Sequence, residues 1–168
     1  MKRPLGYGVI LCAILLVGCA HAGARSRNTA SGVETTDRAA NAEIEAVLQQ
    51  YVRAINTADS DLLRTIWDSG DAASYVNPTQ RLRTWVELER FWHGFLGSRF
   101  STREFTPDSV AIQHVGDVAW VVFNWHFKAI QKNGELYEQR GWETQVYLRT
   151  DHGWRIAHAH YSAVALRQ

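Results

Sequence analysis

Asp151-His152-Gly153-Trp154-Arg155-Ile156-Ala157-His158-Ala159-His160-Tyr161-Ser162 combines a tight turn with a strand rich in aromatic and apolar residues. The strand is expected over Trp154–Val164. Working outward, Leu136–Thr150 reads as the strand before it, entered through the hairpin signal Asn133-Gly134. Val118–Ile130 is a long run of β-branched and aromatic residues. Gly116-Asp117 turns it back to a strand over Phe105–His114. These segments predict four antiparallel strands in succession. Upstream the period changes. Ile44, Val47, Leu48, Tyr51, Val52 and Ile55 recur at helical spacing and predict a helix over about 38–57. Asn56–Ser60 breaks it, and Asp59 or Ser60 can cap a short second helix through Trp67. Ala73–Val76 fits a short strand. Thr84-Trp85-Val86-Glu87 fits a capping box for a third helix, Trp85 to about Leu96. Helices gathered against an antiparallel sheet make an α+β fold.

The amino-terminal segment has a different character. Met1-Lys2-Arg3 is positively charged, Leu5–Val17 is almost wholly apolar, and small residues follow, the marks of an export signal. The apolar run is shorter than the roughly 20 residues of a spanning helix. Leu16-Val17-Gly18-Cys19 resembles the bacterial lipobox. That resemblance implies lipid on Cys19, removal of residues 1–18, and a cell-envelope protein. Ala20, where an Asp would favour inner-membrane retention, points to the outer membrane, facing the periplasm. Residues 19–37, poor in apolar pattern, read as a lipidated cysteine and flexible tether, and 38–168 as the folded domain.

Without residues 1–18 the 168-residue chain is 150 residues long, enough for one well-cored domain. Lys2 and Arg3 leave with the signal, so 16 basic residues face 17 acidic ones. Near-neutral charge without basic clusters argues against nucleic acid as a partner. The two cysteines are Cys12 and Cys19, so the domain has no disulfide, thiol nucleophile or thiolate metal ligand. All seven Trp lie after residue 66. Such side chains fill cores and line ligand pockets.

The order α-α-β-α-β-β-β-β resembles the cone of the nuclear transport factor 2, ketosteroid isomerase and SnoaL-like superfamily. Three pieces carry the likeness: Tyr51-Val52-Arg53-Ala54-Ile55-Asn56-Thr57-Ala58-Asp59 at the end of the first helix, Gly116-Asp117-Val118-Ala119-Trp120-Val121, and Asp151–Ser162. The resemblance covers about residues 40–165. It implies three helices packed on a curved, mostly antiparallel sheet, with a pocket between them. The fold hosts many unrelated activities. The Tyr and Asp pattern of ketosteroid isomerase has no residue-by-residue counterpart here.

His158 and His160 are the first candidates for catalysis. Residues two apart share a face of a strand, and with Ile156 inward both imidazoles would look into the cone. They could act as a general base, fix the sheet through hydrogen bonds, or bind a metal if His126 or Glu143 supplied a third ligand. No resident metal or cofactor is expected. Trp67, Tyr75, Trp92, Phe95, Phe123, Trp125 and Thr144 are the expected pocket walls. With the Thr144 face inward, Glu143 points outward, into solvent or a dimer contact. Asp59 reads as a helix cap, and Asp68 and Asp71 as turn formers. Three functions stay open: an envelope lipoprotein binding a small hydrophobic molecule, an isomerase, cyclase or hydrolase with a pocket His as base, and a homodimeric interaction module.

Overall fold

The computed structural model describes residues 23–68, 70 and 73–164, with side chains from residue 36 onward. Cys19, the signal segment and Asp71 lie outside these residues. A compact unit begins at Thr36.

Helix α1 spans Gly23–Thr57. Ala40, Ile44, Val47, Leu48, Tyr51, Ala54 and Ile55 form its buried stripe, the three-to-four-residue recurrence of an amphipathic helix. The helix starts earlier than the expected 38 and covers residues 23–37, assigned from composition to the tether. That stretch has no Pro, so none of its residues lacks the N–H that a helix uses or clashes with the preceding turn. Its end is sharp. Ala58 takes a left-handed φ of 54°, and Asp59 N–H reaches back to Ala54 O at 2.9 Å, closing the last turn. Asp59 then caps α2 (Ser60–Ile66), its carboxylate accepting from Leu62 N–H at 2.9 Å.

Strands β1 (Ser74–Val76) and β2 (Arg81–Leu82) form a small hairpin. The second of these has no counterpart in the sequence reading, being too short to show periodicity. Its turn is tied by Asn77, whose Oδ1 accepts from Thr79 N, Thr79 Oγ1 and Gln80 N. Helix α3 (Trp85–Trp92) is capped by Thr84, which accepts from Glu87 N–H. It does not run on to Leu96 as an α-helix; a π-helical turn, His93–Ser98, replaces its last stretch. Such turns shift the side chains that follow.

The long strands are β3 (Phe100–Val115), β4 (Val118–Gln131), β5 (Leu136–Thr150) and β6 (Gly153–Ala163). Among the described residues they join β1 and β2 in one sheet, ordered β2-β1-β6-β5-β4-β3. Only β1 and β6 pair in parallel; the other neighbours are antiparallel. Together with the helices this makes the expected α+β cone, the core lying between the sheet's inner face and the helices.

One irregularity resets β6. Val146 pairs with His158, but the next residue, Tyr147, pairs with Ile156. Ala157 is thus an extra residue, a bulge. Ile156 and Ala157 are both buried, and the alternation restarts one residue out of phase.

Candidate functional site

The bulge decides where the histidines go. Beyond it Ala159 faces inward, while His158 is half-buried and His160 exposed on the outer face. The pair therefore does not line the cone, contrary to the placement with Ile156. His158 Nδ1 sits 2.8 Å from Ser74 Oγ on the neighbouring β1. Partial burial, with His160 and Arg81 nearby, pulls its pKa below the usual histidine value. Among the described residues no three His, Cys, Asp or Glu side chains converge to hold a metal.

Strand β5 is also reversed relative to expectation. Gly141, Glu143, Gln145 and Tyr147 are buried, while Trp142, Thr144, Val146 and Leu148 lie on the outer face. Thr144 is therefore no pocket wall. Glu143 is not solvated: it is 3% exposed. Gln145 Nε2 donates to Glu143 Oε1 at 2.7 Å. The Tyr147 hydroxyl in turn donates to Gln145 Oε1. The Tyr51 hydroxyl, arriving from α1, bonds to the Glu143 carboxyl. Burial pushes that carboxyl up to about 7, against the opposing pull of the Gln145 and Tyr51 bonds. Burial also raises the Tyr51 and Tyr147 phenols well above their ordinary value, so both are neutral donors.

Around Glu143 six aromatic rings close a circuit. Tyr51 meets Trp92 (6.2 Å between centroids), Trp92 meets Tyr75 (5.1 Å), and Tyr75 meets Tyr161 (5.7 Å). Tyr161 meets Trp125 (5.5 Å), Trp125 meets Phe105 (6.3 Å), and Phe105 returns to Tyr51 (5.9 Å). These rings come from α1, β1, α3, β3, β4 and β6. They enclose a pocket of about 400 Å³, its mouth included, completed by Phe95 and Gln139 among others. Among the described residues no Lys, Arg or His lines it. Trp92 Nε1 and Trp125 Nε1 are buried donors without a partner among the described residues.

Of the expected walls, Tyr75, Trp92, Phe95 and Trp125 line this pocket. Trp67 and Phe123 are buried in the core beside it, Trp67 edge-on to Tyr75 and Phe123 edge-on to Phe105. Among the lining residues missed from sequence are Glu143, Tyr51, Phe105, Gln139 and Tyr161. A signal for the last existed: Ala159, Tyr161 and Ala163 alternate as an apolar series of their own, out of step with Ile156. Asp68 behaves as a turn former, accepting from Gly70 N–H at 3.0 Å.

The elements thus assemble an α+β cone with one carboxyl inside an aromatic pocket. Residues 44–166 match the SnoaL-like domain model, and the chain belongs to that family. Among solved structures it is similar to a nuclear transport factor 2 (NTF2-like) superfamily protein from Salmonella enterica serovar Typhimurium, with 30% identity and a TM-score of 0.73. That match covers 78% of this chain and 95% of the other. A conserved protein from Planctomyces limnophilus (18% identity, TM-score 0.69, 77% and 99% covered) shares the fold. So does hexachlorocyclohexane dehydrochlorinase LinA-type3 from Novosphingobium barchaimii (14% identity, TM-score 0.65, 78% and 94% covered). No curated protein matches the chain.

Proposed function

We propose that this domain binds a small, largely apolar molecule inside the six-ring circuit, with Glu143 as its polar anchor. The observation that carries this reading is a carboxyl 3% exposed among aromatic rings. A charge in such surroundings is costly unless a partner meets it. Titration of the full chain with 1-naphthol, followed by tryptophan fluorescence, tests it. Saturable binding that disappears in the pocket-filling variant Tyr161→Trp is expected. Binding that is absent, or indifferent to that variant, sinks the proposal.

A second reading is favoured by the position of the Glu143 titration, about 7. A base with a pKa near working pH is suited to proton transfer. The enzyme reading of isomerase, cyclase or hydrolase type then rests on Glu143 in place of His158 or His160. Its mark is a rate that rises with pH through about 7 and is lost in Glu143→Gln while ligand binding persists.

We place the domain in the bacterial envelope, tethered by lipid on Cys19 and facing the periplasm from the outer membrane. Supporting this are the charged start, the apolar run Leu5–Val17 and the Leu16–Cys19 motif. Acyl chains contribute about 0.8 kcal/mol per buried methylene, so several on one residue anchor stably. Cys19→Ala should abolish labelling by palmitate and release the protein from membranes; labelling that survives the substitution refutes the anchor.

A further inference from the structure

Two features of the six-ring pocket constrain its guest beyond size and greasiness: the sign of its charge and the unused capacity of its carboxyl. Resting on the pocket reading above, we infer that the ligand is a small organic ammonium ion. Its N–H group donates to Glu143, and its hydrocarbon part lies among the rings of Tyr51, Tyr75, Trp92, Trp125 and Tyr161.

Charge is the first ground. Among the described residues the lining holds one acid and no base. The guanidinium of Arg99 stacks on Phe95, Phe100 and Tyr137 and is not part of the lining. An anion would face the carboxyl and the negative faces of aromatic rings with no countercharge. A cation finds both attractive, since ring quadrupoles favour positive charge within about 6 Å of the centroid.

Hydrogen bonding is the second. An ionised carboxylate offers about four lone-pair sites. Gln145 and Tyr51 are its hydrogen-bond partners, leaving room for a further donor. A neutral apolar guest would seal the carboxyl from water without meeting that need, driving it towards its protonated form. An ammonium supplies the donor and the countercharge together.

The pocket also has no competing switch. The titratable groups facing Glu143 are phenols: Tyr51 of α1, Tyr75 of β1, Tyr147 of β5 and Tyr161 of β6. Burial raises all four, Tyr161 to about 12. From α3, the π-helical turn, β3 and β4 come Trp92, Phe95, Leu96, Phe105, Trp125 and Phe127, none of which titrates. Cation binding should therefore follow the Glu143 carboxyl alone, strengthening as pH rises through about 7.

The test compares three probes of one shape and three charges: benzylamine, benzyl alcohol and benzoate. Each is titrated calorimetrically into the full chain at about pH 8, where benzylamine is a cation and Glu143 is ionised. Benzylammonium is expected to bind at least about tenfold more tightly than the alcohol, a margin within reach of a desolvated cation–π contact plus an ion pair. Benzoate is expected not to bind. Glu143→Gln should erase the cation's advantage over the alcohol, and a cooperative urea-unfolding transition followed by tryptophan fluorescence checks separately that the variant is folded. Alcohol binding equal to or tighter than the amine overturns the inference while leaving the apolar pocket standing. If none of the three binds, the cation inference falls; the pocket reading falls with it only if 1-naphthol also fails. The wild-type comparison stands whether or not the variant folds.

Discussion

Replacing Glu143 with Gln should change how stability depends on pH, and the size of the effect follows from the site. Burial moves the carboxyl from 4.5 to about 7. At about 1.4 kcal/mol per unit, ionising it costs the folded state about 3 kcal/mol relative to the unfolded chain. Because the folded value is the raised one, Glu143 takes nothing from stability below about pH 4.5. The loss grows as pH rises and is complete above about pH 7. Gln keeps the shape and removes the titration. Its altered bonds with Gln145 and Tyr51 shift stability by a constant, leaving the slope as the diagnostic. Urea unfolding by tryptophan fluorescence, at intervals between about pH 5 and pH 8, gives both profiles. Groups common to the two proteins cancel in the difference. The wild type should lose about 2–3 kcal/mol relative to Glu143→Gln across this range. Parallel profiles would mean that the carboxyl is hydrated or already compensated, and would refute the reasoning.

Other expectations follow from packing. A Cβ on Gly141 would lie 1.8 Å from Ser162 O and 3.0 Å from Trp125 Cζ2, so Gly141→Ala should cost about 3 kcal/mol or more by forcing β5 and β6 apart. A thermal midpoint unchanged from wild type would contradict that contact. Asn77→Ala removes the oxygen that ties the β1–β2 turn. It should cost about 2–3 kcal/mol by leaving backbone donors unpaired, measurable by the same urea method. Trp142, 57% exposed on the outer face of β5, and Val122, 39% exposed on that of β4, suit an interface between two copies of the chain. Light scattering should find a wild-type dimer that Trp142→Glu converts to a monomer; a monomeric wild type would end that expectation.

The three helices and the four long strands were legible in order because each carries its own local signal, whereas the two-residue β2 and the π-helical turn carry none. The stripe Ile44 to Ile55, the Thr84 cap and the Asn133-Gly134 hairpin are local signals that survive into the folded chain. What failed was the assignment of faces, for two physical reasons. In β5 the apolar residues Trp142, Val146 and Leu148 lie outward while Glu143 and Gln145 lie inward, so reading the Thr144 face as the buried one reverses the strand. Local rules are most often broken at functional sites, and here the inward polar pair belongs to the proposed site. In β6 the single extra residue at Ala157 shifts the phase. A bulge is a property of two strands together, and within β6 itself its trace is the change of apolar phase between Ile156 and the series Ala159, Tyr161, Ala163.

The closed circuit of rings has an optical consequence. Trp92 and Trp125 belong to it, on either side of Tyr75 and Tyr161, and line the same space as Glu143. Indole emission responds to a charge created within its surroundings. The gain or loss of the carboxyl's proton should thus register in the protein's own fluorescence, and so should the arrival of the proposed guest, which would make the chain a label-free reporter of its cavity.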